Sequence, residues 1–223
     1  MTNTYREIST TNIIETVNAA LVTAGTVSVR TIKGRNTKHM IQWDLLDHTT
    51  RINGDLVTPR IFLYNSYQKE CALSLHIGFL RAVCNNGLFV GDATYATRIL
   101  HRSGATCEQK LDDLYLGVAA AIQFITSGEL VRQMEAATSK RLSTAEMLLI
   151  TAQLSHLSKR SKLRVVDQII RPAHRLRDED RDNNVWTLWN MINEEIRNSS
   201  RGNEVRLAER NTGLLSTITE LAA

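Results

Sequence analysis

Cys84 has the most reactive side chain in the run RAVCNNGLFVGD, which spans residues 81–92. A nucleophilic thiol needs an electropositive neighbour and a positioned base. Arg81 supplies positive charge three residues earlier, but the sequence places no base beside the thiol. We therefore interpret Cys84 as a packed cysteine and predict no catalytic residue. A catalytic or redox thiol is the alternative.

Two acidic groups are of the type that binds Mg²⁺, the pair Asp112-Asp113 and the run Asp178, Glu179 and Asp180. With His101 nearby they would form a metal-dependent nuclease. Acids just before or early in a helix more simply favour its positive N-terminal dipole. The six histidines and three cysteines do not recur at the spacing of metal ligands. The sequence also lacks Gly-rich phosphate loops, HExxH and GxSxG. We therefore predict no metal and no cofactor.

Positive charge is concentrated in two places, although the formal net charge is only +4. The stretch KRSKLRVVDQIIRPAHRLR at 159–177 and the stretch RTIKGRNTK at 30–38 together contain a single acid, Asp167. Clustered Lys and Arg are what a surface that follows phosphates requires, whereas scattered cations merely solvate exposed helices. The predicted nucleic-acid-binding residues are Lys33, Arg35, Lys38, Lys159, Arg160, Lys162, Arg164, Arg171 and Arg175.

The elements that must position these residues change in character near residue 105. A helix capped at Ser9 to Thr11 and ending at Gly25 is followed by alternating segments that predict four strands. They lie around Val27 and Val29, at 41–45, at 60–66 and at 71–79. The predicted turns are KGRN at 33–36, Asn53-Gly54 and Asn86-Gly87. On the last strand, alternation gives one apolar face and one face that is wet or covered.

Helical periodicity dominates the rest of the chain. A helix starts near Thr106, and Ser143 with Glu146 forms a capping box for the next. A third helix covers 163–170 and ends before Pro172. Asp182 or Asn183 caps a fourth, whose stripe Val185, Trp189, Ile192 and Ile196 fits either a core or an interface, and a last helix includes Val205 to Ile218.

Helices that follow a meander indicate the α+β class with an antiparallel sheet. We predict one domain over 1–223, with a β-rich half at 1–105 and a helical half at 106–223. The 43% hydrophobic and 22% charged composition is that of an ordinary globular protein. No apolar run approaches the roughly 18–20 residues that cross a bilayer, and the first twenty residues lack a signal-peptide layout. We expect a cytosolic protein that has no membrane partner.

The run YNSYQKECALSLHIGFLRAVCNNGL at 64–88 resembles the central block of an uncharacterised phage and plasmid protein family, a domain of unknown function. HRSG at 101–104 and WTLWNMINEEIRNSSRG at 186–202 are similar to two later segments of that family. The similarity covers roughly residues 25–215. It departs at Gln68-Lys69, which stand where the family usually has Asp-Gly. The resemblance implies a mobile-element setting, a bacteriophage, and brings no established activity.

Together these features predict a phage-encoded protein that binds single-stranded DNA through its backbone, as an annealing or recombination accessory that forms a homo-oligomer. Because only 5% of residues are aromatic, backbone binding is favoured over base stacking. The alternative is an interaction protein that binds a host factor or counters a host defence system. A metal-dependent nuclease is the third hypothesis. The sequence favours a protein that is not an enzyme.

Overall fold

An antiparallel sheet and a set of helices make up the part of the chain that the computed structural model describes. Described are residues 8–33, 38–66, 73–81, 86–89, 97–99, 106–155, 157–175, 177, 180–200 and 214–222. The strands are β1 (Val27–Lys33), β2 (Lys38–Leu45), β3 (Thr50–Ile52), β4 (Asp55–Ser66), β5 (Leu73–Arg81), β6 (Asn86–Phe89) and β7 (Thr97–Ile99). The helices are α1 (Thr10–Ala20), α2 (Cys107–Thr126), α3 (Glu129–Ser139), α4 (Thr144–Gln153), α5 (Lys159–Ile170), α6 (Val185–Ser200) and α7 (Leu214–Leu221). The predicted α+β class, with a helix and a meander before a mostly helical half, is confirmed.

The sheet has the order β1-β2-β4-β5-β6, with β3 added beside β4 and β7 beside β5, and every pairing is antiparallel. The four predicted strands correspond to β1, β2, β4 and β5. Connections between neighbours in this order are short, as expected of a meander. β1 lies at one edge of the sheet and β6 at the opposite edge.

Two predicted hairpin turns differ in outcome. Asn53 and Gly54 have φ values of 50° and 87°, the left-handed conformation that a type I′ turn needs, so the predicted turn is present. It joins β4 to β3, a short strand that was not predicted. The turn predicted at Asn86-Gly87 is wrong in position, because Arg81 pairs with Asn86 in the β5–β6 ladder. The connection therefore lies at 82–85, which is outside the described residues together with Cys84 and residues 34–37.

Helix starts follow the predicted side-chain caps with one correction. Thr106 with Gln109 and Ser143 with Glu146 each form a complete capping box. For α6 the cap is Asn184, whose Oδ1 accepts from the Thr187 amide at 2.8 Å, rather than Asp182 or Asn183. The preceding chain is held extended by a bridge between Arg141 and Asn184, which delays the helix by one residue. α3 was not predicted, and residues 205–213 lie outside the described part.

One face of the sheet forms the core together with the helices. Trp43, Ile61, Ile77 and Phe79 are at most 1% exposed on this face. Trp43 donates from Nε1 to Asn18 of α1 at 3.0 Å. Phe79 packs edge-on against Trp189 of α6, with ring centroids 6.1 Å apart. The stripe on α6 therefore belongs to this core, since its four residues, Val185, Trp189, Ile192 and Ile196, are all buried.

Within the described ranges, no individual helix combines the length and apolar character needed to cross a bilayer. Only the bent pair Cys107–Thr126 with Val131–Ser139 passes such a test, by length and composition.

Candidate nucleic-acid interface

α5 carries the largest predicted basic patch, and its sequence determines which side faces water. Ser158 caps the helix by accepting from the Ser161 amide at 3.1 Å. Ser161, Val165 and Ile169 are buried at spacings of four residues, so they form the inward side. Four cations, Lys159, Arg160, Arg164 and Arg171, consequently lie on exposed positions, while Lys162 is half-buried and donates to the Ala152 carbonyl.

The exposed cations of α5 differ in how far they are already neutralised. Arg164 lies 3.5 Å from Glu195 of α6, and Arg171 lies 3.4 Å from Asp167. For Lys159 and Arg160 no acidic partner lies within ion-pair distance in the described part of the chain. The first turn of α5 therefore has two cations available for an external anion.

The pKa values of two carboxylates beside the exposed side of α5, Glu195 and Asp167, are shifted in opposite directions. Burial raises the pKa of the Glu195 carboxyl, and the charge of Arg164 only partly offsets this effect. A hydrogen bond from the His174 ring at 2.8 Å lowers the pKa of the Asp167 carboxyl, and Arg171 adds to the lowering. Asp167 is thus an anion whose partners, Arg171 and His174, lie at the C-terminal end of α5, so its charge offsets the cations there rather than those of the first turn.

Aliphatic side chains run along the same exposed face of α5. Leu163 is 61% exposed and Ile170 is 58% exposed. They are seven residues apart, so they lie two turns apart on the same side of the helix, beside the row formed by Arg160, Arg164 and Arg171. A basic row and an apolar row therefore lie next to each other on α5, and we call the two together the α5 face.

Arg175 was predicted to contact nucleic acid but is 7% exposed. Its guanidinium donates to Asn183 Oδ1 at 2.6 Å and to the carbonyls of Gln168 and Asp180, each at 3.1 Å. Burial lowers the pKa of Arg175, and the acids Asp180 and Asp182 oppose the shift. These contacts join the end of α5 to the loop before α6. Arg175 is therefore not part of the exposed α5 face, a distinction that charge counting could not make.

The second predicted patch is only partly described. Lys33 ends β1 and Lys38 begins β2, but the description of these two residues stops at the backbone, and Arg35 is outside the described residues. β1 is the edge strand farthest from β6, whereas α6 contacts β6 and α5 packs against α4 and α6. Of the two predicted patches, α5 is thus the one whose cationic side chains the structure describes.

Arg81, from the RAVCNNG run, forms a buried ion cluster that the sequence did not reveal. Its side chain has 0% exposure, and its two Nη atoms donate to the carboxylate of Asp180 at 3.0 Å each. Its Nε donates to Asp55, and its guanidinium lies 5.9 Å from the Trp186 ring. Burial alone would lower the pKa of Arg81, but Asp180 and Asp55 outweigh burial and raise it.

The acids that the sequence suggested for a metal site lie in different environments. Asp180 is committed to Arg81, while Asp112 and Asp113 are exposed on α2. Residues 178–179 and His101 lie outside the described part. Among the residues that are described, no group of three or more His, Cys, Asp or Glu side chains is placed to hold a metal ion.

The second face of the sheet, opposite the apolar core face, was expected to be wet or covered. It carries a cluster of largely buried polar side chains. The ladder places Gln42, Phe62 and His76 in one row, with Arg60 and Asp44 in the next. Arg60 forms a two-point contact with Asp44, one bond of which is 2.7 Å. Burial lowers the pKa of the His76 ring to about 4, so the ring is neutral at pH 7. Arg60, the described cation of this face, is thus paired with Asp44.

Comparison with known proteins gives a family without an assigned activity. The family model described as Domain of unknown function (DUF932) matches residues 1–218. Among curated relatives, UPF0380 protein YafZ of Escherichia coli (strain K12) is 28% identical over 164 residues, covering 72% of this chain and 55% of the relative. UPF0380 protein YfjQ of the same strain is 27% identical over 164 residues, with the same coverage. The chain spans about half the length of these relatives. No solved structure matches it.

Proposed function

We propose that this chain, which belongs to the DUF932 family of unknown function, binds single-stranded nucleic acid through the α5 face. The observation that carries the proposal is the first turn of α5. There Lys159 and Arg160 are exposed and lie without an acidic partner among the described residues. Each cation that neutralises a phosphate releases counterions and adds affinity without reading sequence.

The aliphatic row of the α5 face favours a single strand over a duplex. Leu163 and Ile170 lie beside the basic row, so a strand whose phosphates contact the cations brings its bases toward two exposed aliphatic side chains. Unstacked bases offer an apolar surface, whereas bases in a duplex are stacked and paired. The three tryptophans are buried, so aliphatic contact rather than aromatic stacking is expected.

In the phage or plasmid setting that the resemblance implies, this binding suits an annealing or recombination accessory that acts in the host cytoplasm. A basic surface that does not read sequence would coat any exposed single strand. In a direct assay, the protein should accelerate pairing of complementary labelled strands at low salt. A protein that binds a single strand without accelerating pairing would keep the binding function and lose the annealing role.

The binding test uses fluorescence anisotropy of a labelled single-stranded oligonucleotide at several salt concentrations. Replacing Lys159 and Arg160 by Ala should make the slope of log affinity against log salt shallower by about 1.4, because each contact with a single strand contributes about 0.7. The control replaces Arg51 and Arg132 by Ala, which removes the same charge from two other exposed positions. No binding of the wild type at low salt, or an equal change in the control, would refute the proposal.

A second pair of variants tests the preference for a single strand. Leu163→Ser with Ile170→Ser removes the aliphatic row and leaves every cation in place. Binding to the single-stranded oligonucleotide should weaken, while the weaker binding to a duplex of the same length should stay unchanged. Equal losses for both would show that the face does not distinguish them.

The exposed aliphatic pair also supports the second candidate, binding of an acidic host protein, because protein partners use apolar contacts next to charges. Absence of nucleic-acid binding, with the cations of α5 intact, is the result that would favour this candidate.

A further inference from the structure

α2 presents a surface whose chemistry is the opposite of the α5 face. Leu116 is 65% exposed and Tyr115 is 44% exposed near the middle of the helix. Glu108, Asp112 and Asp113 are exposed in the turns before them. Large exposed apolar side chains next to one sign of charge are typical of an interaction surface. We call this surface the α2 face.

We propose that the α2 face of one copy docks on the α5 face of a second copy, which joins copies head to tail. Charge complementarity determines the choice of partner. The α2 face carries three exposed acids, and the α5 face carries cations of which Lys159 and Arg160 have no acidic partner in the described structure. Each face also provides exposed apolar side chains to exclude water from the contact.

The spacing of the charges on the two helices also matches. Glu108 and Asp112 are four residues apart, as are Arg160 and Arg164, and four residues correspond to a rise of about 6 Å. When the two helices pack parallel, Glu108 lies level with Arg160 and Asp112 with Arg164. Leu116 is then level with the segment between Leu163 and Ile170. A single register thus pairs both charges and places apolar side chains together.

The contact must form between copies rather than within one. In the described chain α2 packs against α1 and α3, whereas α5 packs against α4 and α6. Because two different surfaces meet, each added copy leaves one free α2 face and one free α5 face. Such a heterologous contact forms a ring if the rotation closes and an open chain if it does not.

Self-association by this contact does not depend on nucleic-acid binding. If the proposed function also holds, Arg160 and Arg164 are shared, so a nucleic acid and a second copy compete for the α5 face. The two proposals are separable because the α2 face has no part in nucleic-acid binding.

The test measures molar mass by sedimentation velocity over a range of protein concentrations at low and high salt. The wild type should associate at low salt and dissociate as salt rises, since the contact is electrostatic. One variant carries Glu108→Arg and Asp112→Arg, and the other carries Arg160→Glu and Arg164→Glu. Each alone should associate on the order of tenfold more weakly or worse, because like charges then face each other.

Mixing the two reversed variants should restore association, since the reversed α2 face of one matches the reversed α5 face of the other. The matched control, Glu15→Arg with Glu220→Arg, reverses two exposed acids elsewhere and should associate like the wild type. Circular dichroism verifies that all variants fold.

A wild type that stays monomeric at low salt would overturn the proposal, and so would a mixture that remains dissociated. The Glu108 and Asp112 variant should keep its binding to single-stranded oligonucleotide, so loss of association with retained binding separates this contact from the proposed function.

Discussion

Replacing Arg81 by Met tests whether the ion cluster joins the sheet to the helical half. Arg81 and Asp55 have side chains with 0% exposure, and Asp180 has 6%. The substitution removes the cation that both buried carboxylates share, although Arg177 still lies 3.9 Å from Asp180. Removing one partner of a buried ion pair costs about 3–5 kcal/mol. A native domain is stabilised by only about 5–15 kcal/mol, so the loss should be a large part of the total.

Urea unfolding followed by tryptophan fluorescence is a suitable assay, because Trp186 lies 5.9 Å from the guanidinium and reports on the cluster directly. The control Arg51→Met removes an exposed arginine and should change the free energy of unfolding by no more than about 0.5 kcal/mol. If Arg81→Met does not fold, Asp180→Asn gives a milder test with an expected loss of about 1–3 kcal/mol.

Adding Asp55→Asn and Asp180→Asn to Arg81→Met removes the uncompensated charges and should recover part of the lost stability. An Arg81→Met protein within about 1 kcal/mol of the wild type would refute the reasoning, because the cluster would then not be stabilised by its charges.

Three further predictions concern the fold. Burial holds the pKa of His76 at about 4, against 6.5 in the unfolded chain, so the unfolded state binds more protons between these pH values. The free energy of unfolding should therefore fall by up to about 3 kcal/mol as pH drops from 6.5 toward 4. Urea titrations of His76→Gln should lack this loss. Asn184→Ala should cost about 1 kcal/mol or more in the free energy of unfolding, and more than Asp182→Ala, if Asn184 caps α6. Gly25→Ala should lower the melting temperature more than Gly54→Ala: both glycines have positive φ, but an added Cβ at Gly25 collides with the Asp47 carboxylate whereas Gly54 faces open space.

Local signals allowed much of the fold to be predicted. Capping boxes act over three residues, and alternation or helical periodicity acts within one element, so both can be seen in the printed sequence. α3 was missed because only Ser127 and Gly128, the latter with a φ of 75°, separate it from α2, and six of its eleven residues are polar. The Asn86-Gly87 pair was misplaced because a turn signal has no information about strand register, which is set by Arg81 opposite Asn86.

The candidate site was also predictable from the sequence only in part. The basic run 159–177 contains α5, and a helix was predicted within it at 163–170. The structure then separates buried Val165 and Ile169 from the exposed side. Charge alone could not tell that Arg175 is buried against backbone carbonyls while Lys159 and Arg160 face water. The sequence also could not show that Leu163 and Ile170 are exposed, because the residue type of an aliphatic side chain does not reveal whether it is buried.

The sequence by itself determined the α+β class, most helix caps, the strand faces and the membership of a family without an assigned activity, because each depends on neighbouring residues or on overall similarity. Only the tertiary structure decided the partners of charged groups. Arg81 meets Asp180 across 99 positions of chain. Such a pairing depends on how the sheet and helices pack, and short-range pattern contains no trace of it. RAVCNNG thus contributes a buried arginine that joins two halves of the fold. Lys159 and Arg160, which are exposed and lack an acidic partner among the described residues, lie elsewhere, on α5.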